Sequence, residues 1–596
     1  FDMKKIFNSI LAIYLIVAIT ACSGFLDKNP RDVLSDPTVW NSPEAITAYL
    51  AKLYDLMQTE DFNHSSISEA AYLSQYCDEA VRSYTWGDPN NVVIPDDVGT
   101  WWDYGAVRNV NSFLEKIKTA PIDDQLRDYY TAEARFIRAF YYFSLVKRYG
   151  GVPLILEEQQ FTGSNMSELR VPRDTEKKIY EFIRTELDDI VTILPEDWKG
   201  ADQFRVTRYG AYALKLRAML YAASVATYSN VDLNGLVGIP AGDKDFYWEE
   251  SKKASEAIIN SHKFELYEVY DNKADNFQNL FLDKSAHKEA IFTKAFLAPD
   301  KAHSFDFYNA PQSFKVDYGC VTNPVLEIVE DYEYIDGSPG KLKINDNLGN
   351  PIEYANPLDL FKDKDPRLLA TIMVPFSPWQ GGTIEIRKGI IDGGNVITAS
   401  NLTDRYGTSP NDITIIGKDG ALDVNDPTKT GFYVKKFMNP SGKVEYDRSD
   451  TYWMVFRYAE ILLNYAEACV ELNQDLDKAL IQFNLIRDRA GMKNLPAVNL
   501  DIVRKERRVE LAFENHRWWD LRRWRIADQV LNNTQFHSLY PYLVWENGKK
   551  PSEMKYIFKI EPAPKNTRTF LPKLYYVKIA SSQIQTNPNL VQNPLY

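Results

Sequence analysis

"AEARFIRAFYYFSLVKRYGG" (Ala132–Gly151) decides the fold class of this 596-residue chain. Phe136, Phe140 and Phe143 recur at helical spacing, so three rings share one face of a helix. Gly150-Gly151 then ends it, because glycine takes up the left-handed backbone that closes a helix at little steric cost. Upstream, Ser42-Pro43 gives an N-cap followed by proline at the first helical position, and Ile46, Leu50, Leu53 and Met57 follow in register. A further helix is predicted from about Trp101 to Lys118. Downstream, Asp174 or Thr175 caps a helix carrying Ile179, Ile183, Leu187, Ile190 and Leu194, with Pro195 at its end. "TRYGAYALKLRAMLYAAS" starts at the cap Thr207 and alternates small and large residues (Ala211, Leu214, Ala218, Tyr221), which lets neighbouring helices approach closely. Another helix covers Trp248 to Ser261.

From about Phe264 to Asp450 the chain is dense in Gly, Pro, Asn and Asp, with short strand-like pieces such as "TIEIRKGII" and "GFYVKKFM". A stretch this long is a loop-rich lobe, and long loops on a rigid scaffold carry binding function. Helices resume in "FRYAEILLNYAEACVELN", where Ile461, Tyr465 and Cys469 share a face. They continue in "KALIQFNLIRDRAGM", with Ala479, Phe483, Ile486 and Ala490 in register, and in "IVRKERRVELAFENHRWWDLRRW". The expected fold is mainly α: irregular tetratricopeptide-like helix pairs, without a strict 34-residue period, supporting a loop-rich lobe with short strands. The predicted divisions are 43–263 helical, 264–450 ligand-binding lobe, 451–530 helical and 531–596 an irregular C-terminal segment, with 22–596 forming one structural unit.

The N-terminus reads as a targeting segment. Met3 is taken as the natural start, after Phe1 and Asp2. Lys4 and Lys5 are a positive n-region, and Ile10–Thr20 is an apolar run shorter than the roughly twenty residues a bilayer-spanning helix needs. Residues 1–21 are therefore expected to be a signal peptide and 22–42 a tether. Thr20-Ala21-Cys22 has the form of a lipobox, so Cys22 is the expected site of lipidation. Acyl chains there would hold the protein on a membrane at about 0.8 kcal/mol per buried methylene. Ser23 stands where retention signals place Asp, which favours an outer membrane.

Composition narrows the chemistry. A formal net charge of -13 argues against nucleic acid. The basic stripe Arg504–Arg508 alternates with Glu506, Glu510 and Glu514, so pairing at i, i+4 is expected there. Beyond Cys22 only Cys77, Cys320 and Cys469 remain; they form no C-x-x-C pair and no disulfide or zinc framework. Cys469 is expected to be a buried free thiol. No two of the six histidines stand at metal-ligand spacing. Asp346, Asp419, Asp423 and Asp426 lie in acidic turns that miss the EF-hand ligand positions, so neither metal nor cofactor is expected. No pair of carboxylates, G-x-S-x-G elbow or dinucleotide fingerprint marks a catalytic centre.

Aromatic residues make up 13% of the chain, with 37 Tyr and 12 Trp, an excess that suits helix packing and also sugar stacking. A pyranose presents an apolar C–H face that a flat ring matches, and a hydroxyl rim that Asn, Asp, Arg or Lys match. Candidate ligand-binding residues are the aromatics set in polar, turn-rich segments. They are Trp86 in "SYTWGDPNN", Trp379 with Phe376 in "PFSPWQGG", Tyr308 in "SFDFYNAP", and one of Trp101 and Trp102 at the opening of a helix. Asp88, Asn90 and Asn309 are candidate polar partners. Trp453, Trp518, Trp519 and Trp524 sit in helical segments and are expected in the core or facing a partner.

Taken in order, "CSGFLDKNP", "WWDYGAVRNVNSFLEKI", "AEARFIRAFYYFSLVKRYGGVPL", "KDPRL", "FRYAEILLNYAEA", "IRDRAGM", "ERRVELAFENHRWWDLRRW" and the terminal "NPNLVQNPLY" resemble the SusD/RagB family of Bacteroidetes surface lipoproteins. The chain departs from the family pattern at "YYVKIASSQI", where the family carries a Pro-rich step, and at Leu595, where it carries a terminal glycine. The resemblance implies a non-catalytic, lipid-anchored protein on the outside of the outer membrane. It would sit over a SusC-like TonB-dependent barrel, bind an oligosaccharide and pass it inward. It also implies four tetratricopeptide-type helix pairs, with the helical half facing the barrel and the irregular lobe holding the ligand. Peptide cargo, or a lid with no ligand of its own, is the alternative within the same fold.

Overall fold

Five long helices of the first part begin where a side chain accepts one of the unpaired N–H groups of a first turn. Ser42 accepts from Ala45 N at the head of α1 (Pro43–Asp55). Asp103 does so for α2 (Tyr104–Ile117) and Asp123 for α3 (Asp124–Tyr149). Thr175 caps α4 (Glu176–Ile190) and Thr207 caps α5 (Arg208–Tyr228). These caps belong to a computed structural model that describes residues 39–62, 72–84, 93–422, 427–563 and 567–596. The signal segment, Cys22, Asp423 and Asp426 lie outside the described residues. Gly150 ends α3 with φ 73°, and a Cβ on Gly151 would stand 1.9 Å from Asp174 O. The double glycine thus stops the helix and lets the chain entering α4 pass against it.

Besides several shorter helical turns, the chain then forms α6 (Lys244–Ile259), α7 (Lys273–Leu280), the short α8 (Phe305–Asn309), α9 (Tyr458–Leu472), α10 (Leu476–Ala490), α11 (Leu500–Glu510) and α12 (Arg517–Arg523). Helices α2 to α6 pack each on the next. Ala211, Ala218 and Ala222 are fully buried on α5, and Ser251 Oγ of α6 donates to Leu216 O at 3.0 Å. Small residues bring the two backbones this close. α6 then packs on α9, and α9 on α10. The helical array is therefore continuous in space although the chain leaves it for some two hundred residues. Among the described residues no helix is long and apolar enough to cross a membrane.

The excursion is closed at its base by strands. β1 (Ala80–Arg82) pairs antiparallel with β3 (Thr322–Pro324), and β2 (Ala290–Lys294) with β6 (Trp453–Arg457). β4 (Gly389–Asp392) and β5 (Asn395–Ile397) belong to a four-stranded sheet. Its other strands are β7 (His537–Val544) and β8 (Tyr556–Pro562), and β7 runs parallel to β4 and antiparallel to β8. This corrects the expectation that 531–596 is irregular. Those residues supply half of the lobe's largest sheet. Pro541 within β7 obscures the strand pattern, since proline is disfavoured inside a sheet.

The stripe Arg504–Arg508 is also corrected. Its charges pair across elements. Lys505 meets Glu333 at 2.8 Å, Arg507 meets Asp520 at 2.7 Å, Arg508 meets Asp78 at 2.7 Å as well as Asp331, and Arg504 stacks on Trp524 and Tyr228. The physical reason is burial. α11 lies between α9 and the lobe, and a charge removed from water there needs a partner in the interior. Glu510, fully buried, accepts from Arg457 at 2.7 Å, Arg367 at 2.8 Å and Arg489. Arg457 also reaches Glu289 at 2.9 Å and Glu514 at 2.7 Å. Burial alone would raise the Glu510 carboxyl; Arg489, Arg457 and Arg367 outweigh it and hold the group well below the usual carboxylate range. Trp453, Trp518, Trp519 and Trp524 are buried in the core, and Cys77, Cys320 and Cys469 are buried thiols outside any disulfide.

Candidate functional site

The lobe gathers a group of aromatic rings on two loops. The first loop leaves α8. Phe307 and Tyr308 lie on that helix, their ring centroids 5.3 Å apart. Residues 311–319 then run outward and return: Cys320 N donates to Ala310 O and Val321 N to Tyr308 O, both at 2.9 Å. The returning loop carries Tyr318. Its centroid lies 6.4 Å from Tyr308, 5.9 Å from Phe307 and 6.3 Å from Tyr84, next to β1. Gly319 follows with its N–H on Tyr84 Oη at 3.2 Å. A Cβ there would stand 2.5 Å from Ala310 O, so only glycine lets the loop close this tightly.

The second loop, around 439–448, carries Tyr446. Its ring meets Phe307 at 5.5 Å and Tyr308 at 6.2 Å, nearly perpendicular to both. Such edge-to-face contacts are the preferred arrangement for aromatic quadrupoles. Phe307 and Tyr84 form the buried floor, at 7% and 3% exposed, whereas Tyr318 and Tyr446 stand 47% and 56% exposed. Hydrogen bonds from α8 hold the second loop. Asp306 accepts from Asn439 N at 2.6 Å, Ser304 Oγ accepts from Asp447 N at 3.0 Å, and Ser449 Oγ accepts from Asp306 N at 3.1 Å. Burial raises the Asp306 carboxyl above its ordinary value although Asn439 and Ser449 oppose this. Asp306→Ala is expected to loosen 439–448 without touching a ligand. Faster amide exchange confined to that loop, with a several-fold loss of ligand affinity, is the expected result; unchanged exchange would show that the tether is dispensable.

The sequence candidates fall in different places. Tyr308 is half-buried at the centre of the ring group. Trp86, Asp88 and Asn90 lie outside the described residues. Trp379 is corrected: it is 4% exposed in the main core, on a two-residue strand paired with Gly382-Thr383, and has no free ring face. The Pro and Gly around it, which suggested exposure, make a tight turn over the core. Asn309 is corrected as well. It is 1% exposed, with Nδ2 donating to Phe305 O at 2.9 Å and Oδ1 accepting from Thr322 N at 3.1 Å, so its polar atoms are committed to backbone. Phe376 packs on Tyr556 at 4.9 Å in a separate cluster with Ile390 and Leu543. Trp101 and Trp102 precede α2 and lean on α3, through Tyr141 at 5.8 Å and Tyr149 at 4.9 Å respectively; they are not brought to Tyr308. Asp419 is buried with both oxygens accepting, from Ser313 and from Glu385 N. Asp346 closes a turn by accepting from Leu348 N and Asn350 N at 2.8 Å each. Tyr318 and Tyr446 were missed by sequence reasoning. The signal was present in "KVDYGC" and "KVEYDR", where a tyrosine stands among charged residues in a turn.

Two family models match the chain: "SusD family" over residues 288–596 and "Starch-binding associating with outer membrane" over residues 24–220. The chain is similar to SusD-like protein P2 of Formosa agariphila, 23% identical over 565 residues that cover 89% of this chain and 92% of that protein. Among solved structures it resembles a SusD-like protein of Bacteroides fragilis, with TM-score 0.70 and 25% identity over 96% of this chain and all of that one. It also resembles a second protein of that organism, described as a SusD-like carbohydrate-binding protein, with TM-score 0.67 and 23% identity over 93% of this chain and all of that one. One model alone accounts for more than half of the chain, the other for much of its helical first part, and the fold agrees with both: the chain belongs to the SusD/RagB family.

Proposed function

We propose that this chain is a surface lipoprotein that captures oligosaccharide on the rings of Tyr308, Tyr318 and Tyr446 and hands it, uncleaved, to a SusC-like TonB-dependent barrel in the outer membrane. The observation that carries this reading is the pair of exposed rings raised on a buried aromatic floor. Exposed tyrosines fixed in this way keep their apolar faces available at little entropic cost and offer phenolic hydroxyls to a sugar's rim. The carbohydrate-binding description of the second Bacteroides fragilis neighbour and the starch-binding, outer-membrane description of the family model support it. The buried acid beside the rings, Asp306, is engaged with the Asn439 amide of the second loop and serves as a tether. A few stacked rings give weak, fast-releasing capture, which suits transfer to a transporter because affinity is set mainly by the off-rate.

Calorimetric titration of the purified chain with a panel of oligosaccharides and peptides tests the cargo. Saturable binding of an oligosaccharide that remains intact after long incubation is expected. Binding of peptides alone would move the cargo to that class, and binding of neither would leave a transporter lid. The anchor is tested separately. Labelled palmitate should enter the wild-type chain in cells, and Cys22→Ala should abolish the label and release the protein from the membrane fraction; a label that persists in Cys22→Ala would rule the anchor out.

A further inference from the structure

We infer that the ring group selects neutral oligosaccharides and turns away chains bearing carboxylate or sulfate; this rests on the glycan-capture reading above. The two exposed rings are each set among carboxylates. Asp317 precedes Tyr318, and Glu445 and Asp447 flank Tyr446, all three exposed. Consecutive Cα atoms are about 3.8 Å apart, so these charges lie within one screening length of any ligand on the rings, about 8 Å at physiological salt.

The same two stretches hold three cations: Lys315, Lys443 and Arg448. They balance the carboxylates and leave no positive surplus. Two of them are turned onto the loops themselves. Lys443 Nζ donates to Lys315 O at 3.0 Å, and Arg448 Nη1 to Asp447 O at 2.8 Å. Recognition of a carboxylate or sulfate calls for a guanidinium or ammonium whose fork is open to the ligand. The remaining nearby guanidinium, Arg82, lies 5.9 Å from the Tyr84 ring centroid and is only 3% exposed. Among the described residues Lys418 also approaches the first loop, its Nζ 5.5 Å from the Phe314 ring centroid; an anionic glycan would thus meet three carboxylates beside the rings and cations already turned onto loop carbonyls or a ring face. A net charge of -13 adds long-range repulsion. A neutral glycan meets neither penalty.

The test is a matched pair that isolates charge from linkage. The tightest-binding neutral oligosaccharide of the panel is oxidised at its primary hydroxyls to the uronate form, and both are titrated against the full chain at 20 mM and 500 mM NaCl. At low salt the uronate form should bind at least about tenfold more weakly, and the gap should narrow at high salt. The variant Asp317→Asn/Glu445→Gln/Asp447→Asn should narrow the low-salt gap too, which a mere steric effect of oxidation would not do. Equal or tighter binding of the uronate form, or a gap indifferent to salt and to the triple variant, overturns the inference while leaving glycan capture intact. Binding of no glycan on the panel would defeat the capture reading and this inference with it.

Discussion

Glu510→Gln lowers the melting temperature by about 2.5–4 °C. The substitution keeps the shape of the side chain and removes the one charge shared by Arg367, Arg457 and Arg489. Breaking a buried ion pair by deleting one partner costs about 3–5 kcal/mol, because the remaining charges stay buried without full compensation. At about 2 cal/mol/K of unfolding entropy per residue, that loss spread over a chain of this size gives the stated shift. Acid should act in the same direction. The folded carboxyl of Glu510 titrates well below its unfolded value, and Glu514 is likewise lowered, its burial opposed by Arg457 and Lys436. Their contribution is therefore fully present above the unfolded carboxylate range and is lost as pH falls through it toward the folded values. Thermal scans at a fixed rate of the wild type and Glu510→Gln, between pH 7 and pH 3, check both points. The exposed pair Glu265–Lys288, 64% and 61% open to solvent, is the control; Glu265→Gln should leave the melting temperature within about 1 °C. A silent Glu510→Gln would mean that the network contributes no net stability.

Tyr318→Ala and Tyr446→Ala should each weaken oligosaccharide binding by about tenfold, and the double variant should bring it below detection. A ring–ligand stacking contact contributes about 0.5–1.5 kcal/mol beyond the area it buries, and about 1.4 kcal/mol is a factor of ten. Both rings are exposed, so their removal should leave the melting temperature nearly unchanged. Trp379→Phe should do the reverse, lowering the melting temperature while affinity holds, because Trp379 is a core residue. Calorimetry and thermal scans on the same samples separate the two classes. Full affinity in the tyrosine double variant would move the site elsewhere on the lobe.

Much of the helical half was legible in the sequence because its determinants are local. Ser42, Thr175 and Thr207 cap their helices where the pattern placed them, and Gly150-Gly151 ends α3. The apolar faces of Ile179, Ile183 and Leu187 are buried as the 3.6-residue period requires. The same reasoning faltered where partners come from far along the chain. β7 pairs with β4 across some 150 residues, and the partners of Arg508 are Asp78 and Asp331. No window of sequence contains both members of such a pair.

The candidate site divides along the same line. Turn-rich, polar surroundings nominated Tyr308, which lies in the ring group, and equally nominated Trp379, which lies in the core. Local composition says that a segment turns, but not which side of the turn meets solvent. By itself, then, the sequence determined the helices, their caps and stops, and the existence of an inserted, loop-rich lobe, since each follows from backbone hydrogen bonding, turn composition and periodicity within a few residues. Only the tertiary structure decided which rings stay in water. Exposure depends on what other elements pack over a residue, and here α8, β1 and the 439–448 loop, far apart in sequence, together leave Tyr318 and Tyr446 uncovered.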